Sequence, residues 1–200
     1  MGILKHTKYR ITKSMSSCFQ SLLDLLEKLC LLLPVILTSM LFAQPLSGIT
    51  EYQVKAAYLF NFTRFVEWPD SCFSDSTSPI VIGIMGEDPF REDLDNTVRN
   101  KLVQKRPLEI KRVRWGPEIK SCHILFICES EEKRFKLILN QIKNFPILTV
   151  GDVPGFLEKG GIINFYIEES RVRFEIDIKA SETAKLPISS LLLKLARIRR

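Results

Sequence analysis

Three short, almost wholly apolar runs constrain this chain most: Ile80 to Met85, His123 to Cys128 and Ile147 to Val150. Each has the length of one strand, and a strand without a polar face must be covered on both sides. That is the situation of a parallel sheet between helical layers. Segments between the runs have helical signals. Asp88-Pro89 supplies a cap and a first-turn proline for a helix running through Asn100. Phe135, Leu139 and Ile142 share one side of a helix over Glu131 to Lys143. Leu108 to Trp115 alternates apolar and charged residues, the period of a half-covered strand. Val153 to Lys159 reads as a short helix or turn, ended by Gly160-Gly161.

The ends of the fold are marked as clearly. Thr50 and Gln53 form a capping box, with Ile49 and Val54 placed as a hydrophobic staple. From there Val54, Tyr58, Phe62 and Phe65 fall on one helical face, until Pro69 stops the helix. Phe60 points away from that face, toward a second layer of the domain or toward a partner. Further on, Ile163, Phe165 and Ile167 alternate with polar residues up to a turn at Glu169-Ser170. Val172, Phe174, Ile176 and Ile178 then alternate with Arg171, Arg173, Glu175 and Asp177, which predicts a hairpin with one polar face. A last helix starts near Pro187, with Ile188, Leu191, Leu192 and Leu195 as its buried stripe. Lys194 and Arg197 suit its negative end. The predicted fold is a layered α/β domain: a mostly parallel sheet flanked by helices, with a C-terminal antiparallel hairpin.

Residues 1–43 read as a signal peptide rather than fold. Lys5, Lys8, Arg10 and Lys13 precede an apolar run from Leu29 to Phe42, and Ala43-Gln44-Pro45 follows. The run is about 14 residues, short of the ~20 that a membrane-spanning helix needs. Export leaves residues 44–200 as one domain in the periplasm. The leader carries five of the 29 Lys and Arg and two of the 23 Asp and Glu, so the net charge falls from +6 to +3 on its removal. Such an excess is too small to argue for nucleic acid. Cys72, Cys122 and Cys128 remain. Cys128 ends a buried strand, where a thiol packs as a small hydrophobe. Cys72 and Cys122 sit at element edges, and an oxidising compartment allows them to be bridged or leaves them free.

Little in the chain looks like catalysis. The only histidine after the leader, His123, starts a buried strand, and neighbouring Cys122 points to the opposite face. No cluster has zinc spacing, no calcium loop appears, and no glycine-rich phosphate loop or Walker lysine is present. No catalytic residue, cofactor or metal is therefore expected. Ligands of open α/β sheets sit at the carboxyl ends of the strands. Those ends carry Glu87 and Asp88, then Glu129, then Asp152, an acidic rim that would repel a nucleotide and suit a small amine or amino acid. Capping and solvated loops are the plainer role for the same residues. The strip Arg171, Arg173, Glu175 and Asp177 is a solvated face or a surface that presents alternating charge to another protein.

Taken in order, several stretches resemble the YfiR family of exported bacterial proteins, first named as a domain of unknown function. They are Asn61-Phe62-x-x-Phe65-Val66-x-Trp68-Pro69, Ile82 to Phe90, Cys122 to Ile127, Leu148 to Asp152, Gly160 to Phe165, Arg171 to Ile176 and Ile188-Ser189-Ser190. Cys128 stands where the family pattern leads one to expect serine. The resemblance implies a periplasmic regulator that is not an enzyme. It would bind the periplasmic part of an inner-membrane diguanylate cyclase and hold it inactive, lowering cyclic di-GMP and biofilm formation. An OmpA-like outer-membrane lipoprotein would sequester it, and it would form dimers. A small-molecule-binding sensor module, acting on another receptor or sensor kinase, is the alternative.

Overall fold

The computed structural model describes residues 48–199. The expected signal peptide, 1–43, and the first residues of the domain lie outside them. Among the described residues, no helix is long and apolar enough to cross a membrane.

The domain begins with α1 (Glu51–Phe65). Its capping box forms: Gln53 N–H donates to the Thr50 hydroxyl, and Thr50 N–H donates to the Gln53 side chain. The hydrophobic staple does not form, because Ile49 is 79% exposed. The buried face runs through Lys55, Ala56, Leu59, Phe62 and Thr63, with Tyr58 and Phe65 on its flank. That is one step round the helix from the predicted stripe. Phe62 stacks on Phe165 with ring centroids 5.8 Å apart. Full burial of a side chain such as Leu59 or Phe62 contributes roughly 1.5–3 kcal/mol.

The predicted parallel sheet is present, with extra strands at its edges. After β1 (Ile80–Met85) come α2 (Asp93–Val98), β2 (Leu102–Val103), β3 (Arg106–Val113) and β4 (Ile124–Ile127). A 3-10 stretch (Glu129–Arg134) leads into α3 (Phe135–Ile142), followed by β5 (Leu148–Gly151), β6 (Ile163–Glu168) and β7 (Arg171–Asp177). The chain closes with α4 (Ile178–Thr183), α5 (Ser190–Leu193) and β8 (Arg197–Arg199). The sheet order is β2-β3-β1-β4-β5-β6-β7-β8. Strands β3, β1, β4, β5 and β6 are mutually parallel, β6 and β7 are antiparallel, and β8 pairs parallel to β7.

Alternation along each buried strand splits the core in two. Ile82, Ile84, Ile124 and Phe126 face α1 and α2. Val81, Met85, Leu125 and Ile127 face α3 and the chain after β5. Both faces are therefore covered, as apolar strands require.

Three local expectations need correction. Asp88 does not start a helix. Its carboxylate instead accepts the Phe90 N–H in a tight turn, and α2 begins only at Asp93. Ile178 begins α4 rather than extending β7, while Val153 to Lys159 forms turns, one of its two expected readings. The last helix has only four residues. Leu192 is buried, but Leu191 and Leu195 are 59% and 66% exposed, because the chain swings out to form β8. Arg197 and Arg199 thus lie on a strand rather than at a helix end. The opening and closing segments do meet. Val66 bridges Ile188, Glu67 N–H donates to Pro187 C=O, and Ser189 N–H donates to Phe65 C=O.

Candidate functional site

Order within the parallel set, β3-β1-β4-β5-β6, is that of a doubly wound sheet of the 2-1-3-4-5 kind. The chain leaving β1 crosses one face and the chain leaving β4 crosses the other, which opens a crevice between their carboxyl ends. A cleft of about 540 Å³ lies there, lined by Glu87, Arg114, Trp115, Ser130, Glu131 and Arg134 among others. The two loops are fixed to each other. Glu87 N–H donates to the Ser130 hydroxyl at 2.9 Å. Gly86 has φ +103°, and a Cβ there would fall 2.4 Å from that hydroxyl, so glycine permits both the turn and the close approach.

The four acids of the expected rim do not share one crevice. Glu87 lines the cleft, and Glu129 is exposed. Asp88 is paired with Arg112 at 2.9 Å, and Arg112 also binds Asp95, whose carboxyl it holds below the usual range. Asp152 lies apart, in a buried charge cluster with α1. It accepts from Lys55 Nζ at 2.7 Å and from the Tyr52 hydroxyl at 3.2 Å, and Glu51 pairs with Lys55 at 2.5 Å. Lys55 is 3% exposed and sits 4.4 Å above the Tyr52 ring centroid. Burial, then the Asp152 charge, pushes the Tyr52 phenol above its ordinary value. With Arg112, Arg114, Arg134 and Lys55 among the acids, the rim has mixed charge rather than acidic character. Sequence reasoning missed these four cations. Glu51 to Lys55 has the i,i+4 spacing of a helical ion pair, but nothing local announced that the lysine is buried.

A second cleft, of about 450 Å³, runs from this cluster onto the polar face of β6, β7 and β8. Asn164, Tyr166, Glu175, Arg197 and Arg199 line it. The Asn164 Oδ1 is buried without a hydrogen-bond partner. Arg197 lies over the Tyr166 ring and pairs with Glu168, and Arg199 pairs with Glu158. Of the strip expected to meet a partner, Arg171 and Arg173 are exposed, while Glu175 and Asp177 are half-buried. Asp177 caps α4 through the Ala180 N–H. On the opposite face of the hairpin from the two arginines, Ile167 is 52% exposed. Glu169 and Ser170 both have positive φ, which makes the hairpin tip tight. Phe60 is half-buried under Lys101 Nζ, 4.3 Å from its ring centroid, so it meets another part of its own domain.

Cys72, Cys122 and Cys128 are free thiols, so the bridged alternative for Cys72 and Cys122 is not the state of this structure. Both line one pocket with His123. Cys122, however, sits under β1, where a Cβ on Gly83 would meet its sulfur at 2.5 Å, and it points toward the Glu118 carbonyl at 3.8 Å. Burial pushes its thiol up to about 11 and that of Cys128 to about 12. His123 is held between Phe73, stacked at 4.5 Å, and the edge of Trp68. Its Nδ1 accepts the Val81 N–H. Burial and the charge of Arg106 push its pKa down to about 4. This histidine ties the start of β4 to β1, and its Nε2 has no hydrogen-bond partner.

A family model described as YfiR/HmsC-like matches residues 52–197. No curated protein matches the chain. A solved structure of a conserved domain protein from Vibrio cholerae O1 biovar El Tor strain N16961 is similar, with 11% identity and a TM-score of 0.49. The match covers 77% of this chain and 62% of that one, so the chain spans less than two thirds of that protein's length.

Proposed function

This chain belongs to the YfiR/HmsC-like family of periplasmic regulators, and from that premise we propose that it represses an inner-membrane diguanylate cyclase by protein contact. The observation that carries the proposal is the family match over almost the whole described domain. The β6–β7 hairpin supports it. It presents exposed Arg171 and Arg173 on one face of a tight tip and exposed Ile167 on the other. Arginine and large apolar side chains are suited to such contacts. In this reading the repressor binds the inactive cyclase conformation more tightly than the active one, and the difference in affinity sets the shift. An OmpA-like outer-membrane lipoprotein would compete for the repressor, and the working form would be a homodimer.

Intracellular cyclic di-GMP in a clean deletion tests the proposal. It should rise, and complementation with the native gene should reverse the rise. An Arg171→Glu/Arg173→Glu variant that is exported and folded should fail to complement. An unchanged cyclic di-GMP level in the deletion would refute cyclase repression. Full complementation by the charge-reversed variant would remove the hairpin from the mechanism.

A further inference from the structure

A cavity of about 160 Å³ lies between the last turn of α3 and α4, beside β5 and the chain entering β6. It sits at the amino ends of these strands, the end of the sheet away from the crevice after β1 and β4. Leu139, Ile142, Ile147 and Ile162 line it, each at most 3% exposed. The space exists because α4 offers only the methyl groups of Ala180 and Ala184, and Gly160 adds no side chain. Thr149 is the one buried polar side chain in the lining, and its hydroxyl already accepts the Ile162 N–H at 3.0 Å. An apolar cavity of about 150 Å³ lined by such side chains stays dry and takes up a six-carbon molecule. No aromatic ring lines this one, so a flexible chain suits it better than a planar heterocycle.

The mouth is charged. Lys143 and Lys159 line it, and no acid does. Lys159 also pairs with Glu132 at 3.3 Å, whereas Lys143 is exposed and forms no ion pair among the described residues. The negative poles of α3 and α4 end here and offset part of the attraction for an anion. We propose that the cavity binds a free aliphatic carboxylate of about six to eight carbons. Its chain lies against Ile142, Ile147 and Ile162, and its head group meets Lys143 and Lys159. The site shares no residue with the tip of the β6–β7 hairpin.

Titration calorimetry and thermal unfolding of the native protein with sodium octanoate test this. Saturable one-to-one binding below about 1 mM and a raised Tm are expected. Hexanoate, pentanoate and butanoate should weaken about fourfold for each methylene removed. Decanoate should gain little over octanoate, because its added carbons lie outside the cavity. Octanol and octylammonium carry the same chain without the negative charge and should bind more weakly. Lys143→Glu, at an exposed position, should weaken octanoate about fivefold and leave octanol unchanged. Ala180→Leu fills the space and should abolish binding. Neither heat nor a rise in Tm up to about 5 mM octanoate would overturn the proposal. So would octanol binding as tightly as octanoate, or octanoate affinity unchanged in Ala180→Leu. If Ala180→Leu fails to fold, Lys143→Glu and the chain-length series still decide.

Discussion

Replacing Lys55 with methionine isolates the buried charge cluster. Methionine keeps the length and the packing of the stem and removes only the ammonium. Lys55 Nζ and Asp152 Oδ2 are 2.7 Å apart, and their side chains are 4% and 7% exposed. At an effective dielectric of about 20 the gross attraction is about 6 kcal/mol, much of which desolvation cancels. In Lys55→Met the cost is different in kind. Asp152 stays buried and keeps one donor, the Tyr52 hydroxyl. Truncating one partner of a buried pair costs about 3–5 kcal/mol, and with that remaining donor we expect about 3 kcal/mol. For a domain of this size such a loss lowers Tm by roughly 6–12 °C. Lys55→Met/Asp152→Leu removes both charges and should recover to within about 1 kcal/mol of the native protein. Urea denaturation of the native protein, both single variants and the double variant completes the cycle. A neutral Lys55→Met, or a double variant as unstable as the sum of the singles, would refute the claim that burial makes this pair matter.

Other predictions follow from single groups. His123 has a folded pKa of about 4 against about 6.5 when unfolded, so the unfolded state binds more protons between those values and stability falls as pH drops from about 6.5 through 4. The full loss is about 3 kcal/mol, and His123→Asn, which keeps an acceptor for the Val81 N–H, should flatten that part of a urea-midpoint profile against pH. Gly161→Ala should cost about 1–3 kcal/mol, because a Cβ would fall 2.2 Å from the buried Phe156 ring; thermal unfolding within 0.5 °C of native would contradict this close packing. At pH 8 a thiol reagent should leave Cys122 and Cys128 unmodified in the native protein, given their raised pKa and burial. Rapid labelling of either without unfolding would show that β4 opens on its own.

How far the sequence was legible depended on whether a signal was local. Ile80 to Met85 could only be a covered strand, and Thr50 with Gln53 could be seen to start a helix, because both signals lie within a few residues. Glu169-Ser170 marked its turn for the same reason. The errors came where distant parts of the chain decide. The leucines after Pro187 have helical spacing, yet pairing of Ile198 with Ile176 draws the chain out of the helix after one turn and leaves Leu191 and Leu195 exposed. Asp88 has the form of a helix cap, but Arg112 on β3 fixes it from another strand.

The sequence by itself determined the layered α/β class, the family and the two-faced hairpin, since apolar periodicity, turn residues and motif order are carried along the chain. Only the tertiary structure decided which charges meet. Lys55 reaches Asp152 across 97 positions, and Arg114, Glu131 and Arg134 share a cleft because β1, β3 and β4 end side by side. A charge acts through its distance in space and the water excluded around it, and neither is a property of position along the chain.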